Sequence, residues 1–253
     1  MLSWIRFAAV ALLSFALLPG MASAADIEGR HILLPAKERQ VSVTYFRAPG
    51  EAPRPSILLL HGARGFDGQI ADYDRYCSQL ASNGMDAYLV YYYSVNDQHS
   101  MASGTDVFID RFAAWARLVD DLAGDLLAAK QSNGKIGLIG FSNGGFLAAG
   151  AGALDPRINA AVIYYGAVPF PIIDRVTRFP PLLILHGDAD TIITVDRGKE
   201  LASLAKDMGG SADLVIYPGA THGFGSRLNT KDGADALART VAFLTKELDA
   251  HSP

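Results

Sequence analysis

Ser142 is the residue whose neighbours most favour nucleophilic chemistry. It lies in Gly140-Phe141-Ser142-Asn143-Gly144, which follows the apolar run Lys135-Ile136-Gly137-Leu138-Ile139 and precedes Gly145-Phe146-Leu147-Ala148-Ala149. A strand-like segment therefore runs into a helix-like one through a G-x-S-x-G. That is the setting of a nucleophile elbow, a strained turn that lifts a hydroxyl above a sheet edge, with glycines where side chains would collide with the adjoining strand and helix. A serine hydroxyl attacks a carbonyl only when a neighbouring base takes its proton.

Later segments supply a base and an acid in a fixed order. Leu182-Leu183-Ile184-Leu185 is a buried-strand pattern running into His186-Gly187-Asp188-Ala189-Asp190, and Asp213-Leu214-Val215-Ile216-Tyr217 is another, running into Pro218-Gly219-Ala220-Thr221-His222-Gly223-Phe224. Of the six histidines, His31 and His251 lie towards the ends of the chain, His99 is in a polar segment, and His61 and His186 precede glycines in strand-end turns. His222 alone follows the last strand, and it is the expected general base. Asp188 and Asp190 share one turn, and either could orient its imidazole; the other would be a turn former.

These residues must be held by a sheet. Strand-like runs occur at His31–Pro35, Val41–Phe46, Ser56–Leu60, Asp86–Tyr92, Lys135–Ile139, Ala160–Tyr165, Leu182–Leu185 and Asp213–Tyr217, the first two close enough for an antiparallel edge. Helical spacing of apolar residues is read over Gln69–Asn83, Asp106–Gln131, Gly144–Leu154, Val195–Met208 and Lys231–Ala250. Eight strands with crossover helices predict an α/β fold, a mostly parallel sheet covered on both faces. Ser142, Asp190 and His222 each fall just beyond a strand, on the rim where such sheets carry their sites.

Composition narrows the function further. Half of the 253 residues are apolar, enough for the core of one α/β domain, and the formal net charge of −4 argues against nucleic acid as a partner. Arg6, the apolar stretch Phe7 to Leu18, the Pro19-Gly20 break and Ala22-Ser23-Ala24 read as a secretory signal peptide over residues 1–24. The mature domain would then span residues 25–253, carry a charge of −5, and be secreted or periplasmic with no stable membrane anchor. Cys77 is the only cysteine, which excludes an intramolecular disulfide and, from its position, a lipid anchor at the cleavage site. The sequence has no H-E-x-x-H, no P-loop and no G-x-G-x-x-G after the first strand, so a mechanism without metal or other cofactor is expected.

The chain resembles the α/β-hydrolases, and within them the dienelactone hydrolase family. The resemblance is carried by Gly140-Phe141-Ser142-Asn143-Gly144-Gly145, His186-Gly187-Asp188-Ala189-Asp190 and Tyr217-Pro218-Gly219-Ala220-Thr221-His222-Gly223-Phe224. It favours Asp190 over Asp188 as the acid, and the connection Gly166 to Pro181 after the sixth strand is too short for a separate cap domain. The enzymes that give the family its name use a cysteine where this chain has Ser142, and a glutamate near the position of Gly62. These departures point away from dienelactone and towards a carboxylic-ester hydrolase working through an acyl-enzyme. An acyltransferase or peptidase would use the same three residues, and a non-catalytic binding protein would have no need of them.

The oxyanion of a tetrahedral intermediate needs two amide donors. The N–H of Asn143 is one; the turn His61-Gly62-Ala63-Arg64-Gly65 supplies the other, from Ala63 or its neighbour Arg64. Four side chains are weighed for touching a small-molecule ester. The Arg64 guanidinium could favour a substrate carboxylate, Tyr92 or Tyr93 could line a pocket from the end of a strand, and Phe224 could cover His222 or fill the core. Ser94–Thr105 reads as a polar loop able to act as a flap.

Overall fold

In the computed structural model, residues 27–250 are described, apart from 38, 67, 68, 103–106 and 169. The signal segment 1–24 and His251 lie outside the described residues. The eight strands are β1 (Arg30–Ala36), β2 (Arg39–Phe46), β3 (Arg54–Leu60), β4 (Asp86–Val90), β5 (Ser132–Phe141), β6 (Ala160–Tyr164), β7 (Leu182–Gly187) and β8 (Ala212–Tyr217). They form one sheet in the order β1-β2-β4-β3-β5-β6-β7-β8. The β1–β2 and β2–β4 pairs are antiparallel and every other pair is parallel.

The helices are α1 (Ile70–Ser82), α2 (Val95–Ala102), α3 (Phe108–Ala128), α4 (Asn143–Leu154), α5 (Val195–Asp207) and α6 (Lys231–Glu247). Alternation along the strands sends Leu58 and Leu60 towards α3, α4 and α5, and Ile57 and Leu59 towards α1 and α6. Both faces of the central strands are therefore apolar, and β3 and β4 are buried along their whole length. In α3 the apolar face is Phe108, Phe112, Trp115, Val119, Leu122 and Leu126, the spacing of a helix laid on a sheet.

Two polar assemblies hold this frame. At the lower edge the buried Arg54 donates from Nε to Asp86 Oδ1 at 2.8 Å, and Asp86 also accepts from Tyr45 and the Ala48 N–H. Arg54 extends β3 two residues before the predicted start, because its ion pair lets a charged residue enter the sheet. Behind the elbow, Tyr76 donates to the Gly225 carbonyl at 2.8 Å and lies 2.9 Å from the Tyr164 hydroxyl. Tyr164 in turn reaches the Ala236 carbonyl and Thr240 of α6, so α1, β6 and α6 share one buried network.

Two expectations need correction. Ser94–Thr105 does not form a loop throughout, since Val95–Ala102 is helix α2 and residues 103–106 lie outside the described residues. Ser94 and Asp97 cap that helix reciprocally, the Ser94 N–H donating to Asp97 Oδ2 and the Asp97 N–H to Ser94 Oγ. Burial would raise the Asp97 carboxyl, but Ser94, Trp115 and Arg111 outweigh it and hold it below the ordinary value. The second correction is that β4 ends at Val90, not Tyr92, so strand alternation cannot be carried through Tyr91-Tyr92-Tyr93.

Candidate active site

The elbow forms because β5 and α4 meet with nothing between them but Ser142. A Cβ added at Gly140 would collide with the backbone of Gly144, and one at Gly144 with the Leu60 and His61 carbonyls. Glycine at both positions lets the turn close, and Ser142 takes φ 54°, ψ −115°, a region that L residues occupy only under strain. Its N–H donates to the Tyr164 carbonyl at 3.0 Å, and its carbonyl accepts the first α4 bond from Phe146. The serine is thus tied to β6 and to α4, with its side chain half-buried at the rim.

His222 and Asp190 arrive from β8 and β7. His222 Nε2 lies 3.0 Å from Ser142 Oγ, and its Nδ1 lies 2.7 Å from Asp190 Oδ2. A carboxylate can only accept, so Nδ1–H donates and Nε2 is left to take the serine proton. The other Asp190 oxygen accepts from the Ile192 and Ile193 N–H groups, both at 2.9 Å, which fixes the carboxylate while it stays almost fully buried. Asp188 faces elsewhere, accepting from the Gly219 N–H at 2.6 Å in the turn after β8.

The turn opposite the elbow is closed by a bond from the Gly65 N–H to the Gly62 carbonyl at 3.0 Å. Its two central residues, Ala63 and Arg64, keep their N–H groups outside that bond. A Cβ at Gly62 would stand 3.6 Å from the Ser142 Cβ, so turn and elbow are in van der Waals reach. Asn143 opens α4, where an N–H has no carbonyl one turn back to bond. The Arg64 side chain is exposed on the turn.

Two pocket assignments are overturned by burial. Tyr92 is 2% exposed, stacks on His61 at a ring distance of 4.0 Å, and donates its hydroxyl to the His61 carbonyl at 2.7 Å. It supports the turn from beneath and presents no surface to a substrate. Phe224 is buried among Tyr165, Tyr217 and Tyr164, filling the core instead of covering His222.

Several residues that hold the site carry no sequence signal. Tyr165 follows β6 with φ 39° and sets its ring 4.7 Å from that of His222. Burial pushes its phenol well above the ordinary value, so it stays neutral. Tyr73 accepts a long 3.5 Å bond from the Gly62 N–H and donates to Gln69, whose amide reaches Ser226, so the turn near the elbow is linked to the loop carrying His222. Arg227 donates to the His222 carbonyl at 2.7 Å. His186 is fully buried 3.7 Å from Asp190 Oδ2, with Nε2 bonded to the Ile193 carbonyl and its imidazole held neutral by burial. Among the described residues, no group of three or more His, Cys, Asp or Glu is placed to hold a metal ion.

The strand order, the elbow after β5 and the serine–histidine–carboxylate line on one rim define an α/β-hydrolase. The family model for the dienelactone hydrolase family matches residues 43–248, and the chain belongs to that family. It is 27% identical over 200 residues to a Methylorubrum extorquens protein provisionally named a carboxymethylenebutenolidase, covering 71% of this chain and 67% of that one. The dienelactone hydrolase of Anabaena variabilis superposes with a TM-score of 0.70 at 18% identity, over 88% of this chain and all of that one (100%). An esterase from Pyrobaculum calidifontis superposes with a TM-score of 0.70 at 21% identity, over 87% of this chain and 85% of its own. Membership in the family makes the protein a hydrolase of ester bonds.

Proposed function

We propose that the protein cleaves carboxylic esters through an acyl-enzyme, with Ser142 as nucleophile, His222 as general base and acid, and Asp190 as the group that orients and stabilises the imidazole. The observation that carries this reading is the unbroken line from Ser142 Oγ to His222 Nε2 at 3.0 Å and from Nδ1 to Asp190 Oδ2 at 2.7 Å, on a strained elbow. Ser142 Oγ bonds to the ester carbonyl carbon as its proton passes to Nε2. The carbonyl oxygen becomes an oxyanion facing the N–H groups of Asn143 and Ala63, with Arg64 the alternative to Ala63; each donor contributes about 3 to 4 kcal/mol to such a step. Collapse breaks the bond to the alcohol oxygen, which leaves with the Nε2 proton. Water, deprotonated in turn by Nε2, then releases the acid and restores the serine.

A dienelactone substrate is disfavoured by Ser142 in place of cysteine and by Gly62, which offers no carboxylate beside the turn. We further propose export after removal of residues 1–24, which N-terminal sequencing of the exported protein checks. Among the described residues no helix is long and apolar enough to cross a membrane.

The test is fluorophosphonate labelling with site mapping, run beside p-nitrophenyl acetate turnover by wild type and Ser142→Ala. Labelling at Ser142, with turnover reduced at least about 10³-fold in the variant, is expected. Unchanged turnover in Ser142→Ala would refute the assignment. Amide analogues and added acceptor alcohols, compared with water, separate esterase from peptidase and acyltransferase.

A further inference from the structure

Among the described residues, three of the eight exposed large apolar side chains gather beside one groove. Phe170 is 87% exposed, Ile192 69% and Ile173 39%, and all three border a single groove of about 610 Å³. Its floor is the face of α5 that carries Leu201 and Leu204, and its walls include Phe146 of α4, Val168, and the 3-10 turn Phe170–Arg175. A cavity of this size and lining is in the range that holds a small organic ligand, and an apolar patch left facing solvent calls for an occupant.

Each wall is tied to a member of the serine–histidine–aspartate line. Phe146 stands one helical turn beyond Ser142 and donates its N–H to the Ser142 carbonyl at 3.0 Å. Ile192 and Ile193 are the residues whose N–H groups hold Asp190. Val168 lies three residues past Tyr165, the ring that packs on His222. The groove therefore borders the segments that carry Ser142, Asp190 and the ring packed on His222, and runs along α5, where the face from Arg197 to Leu204 rises about 10 Å.

Charge selects the kind of occupant. The ionisable residues lining the groove are Arg197 and Glu200; they pair with each other at 3.0 Å and both are more than half exposed, at 62% and 64%. The lip is neutralised and the floor is hydrocarbon. An ionised chain would lose its hydration here without gaining a partner, whereas a methylene chain would lose only unfavourable contact with water.

We propose that this groove seats the aliphatic chain of a neutral ester whose carbonyl lies at Ser142, so that the protein prefers unbranched esters of medium chain length to short or acidic ones. The inference rests on ester hydrolysis at Ser142 as proposed above. The chain is carried on either the acyl or the alcohol side, and two substrate series distinguish these.

The experiment measures kcat/KM for p-nitrophenyl acetate, butyrate, hexanoate and octanoate, and for ethyl, butyl, hexyl and octyl acetate. In the series whose chain enters the groove, kcat/KM rises about two- to fourfold per added methylene. Phe170→Ser and Ile173→Ser alter exposed positions, so the fold is retained, and each lowers the octyl-to-short-chain ratio by about tenfold. A second readout needs no turnover: octanoate and 1-octanol binding to Ser142→Ala, by calorimetry, with and without Phe170→Ser. Acetate ester turnover with flat series and no binding of either probe overturns the groove alone. A slope that survives both substitutions also overturns it. Absence of turnover with every ester overturns the hydrolase reading and this inference with it.

Discussion

Asp188 and Asp190 stand two residues apart in one turn, yet only Asp190 reaches His222, at 2.7 Å, while Asp188 accepts from the Gly219 N–H. Asp190→Asn should keep the fold but lower kcat by about 10³- to 10⁴-fold, because an amide favours the wrong imidazole tautomer. Asp188→Asn should lower it less than about tenfold, through loosening of the turn after β8. Steady-state kinetics of the pair check this, and the reverse order would exchange their roles. At this scale the sequence was most legible where residue type and chemistry coincide. Ser142, His222 and the two aspartates could be read from their places after strands. Tyr92, just past a strand, and Phe224, two residues past His222, could not be placed because an aromatic residue beside a site looks the same in sequence whether it faces a ligand or the core. Tyr165 was invisible for a related reason: nothing in Tyr164-Tyr165-Gly166 announces a positive φ or a ring against a histidine.

The elbow is an element whose geometry works against its own residue. At φ 54°, ψ −115° a residue with a Cβ carries strain of about 1 to 3 kcal/mol, and glycine does not. Ser142→Gly should therefore unfold at a higher temperature than Ser142→Ala, although both lack the hydroxyl and glycine has the greater chain entropy to lose. Calorimetry of the two variants decides, and equal or reversed melting temperatures would argue that the turn is unstrained. The central strands β3, β4, β6 and β7 were legible because buried strands of a parallel sheet are nearly continuous apolar runs. Their ends were not, since Arg54 enters β3 only through its pairing with Asp86, a residue 32 positions away. Helix α2 escaped notice because Val95-Asn96-Asp97-Gln98-His99-Ser100-Met101-Ala102 has no apolar period. Ser94-x-x-Asp97, a reciprocal cap, was the available sign.

Over the whole molecule, folding withdraws two histidines from water. Burial lowers His61 to about 4 and lowers His186 as well. Above pH 6.5 both are neutral folded or unfolded, and the stability they permit is fully present. As pH falls from 6.5 towards 4 the unfolded chain takes up protons that the native one refuses, and stability declines, by up to about 3 kcal/mol from His61. Urea midpoints between pH 7 and 4.5 should fall, and His61→Gln should flatten the decline; an equal slope in the variant would locate the acid sensitivity elsewhere. The antiparallel edge and the two-faced cover of the sheet could be read from the order of the elements, while the network joining Tyr76, Tyr164 and Thr240 could not, its members being 88 and 76 residues apart. That network also closes on α6. A growing chain halted before Lys231 already contains the serine, the aspartate and the histidine, yet lacks the helix on which the Tyr164 hydroxyl closes. The fastening behind the elbow therefore waits for α6, and a chain cut before Lys231 leaves the Tyr164 hydroxyl without Ala236 and Thr240.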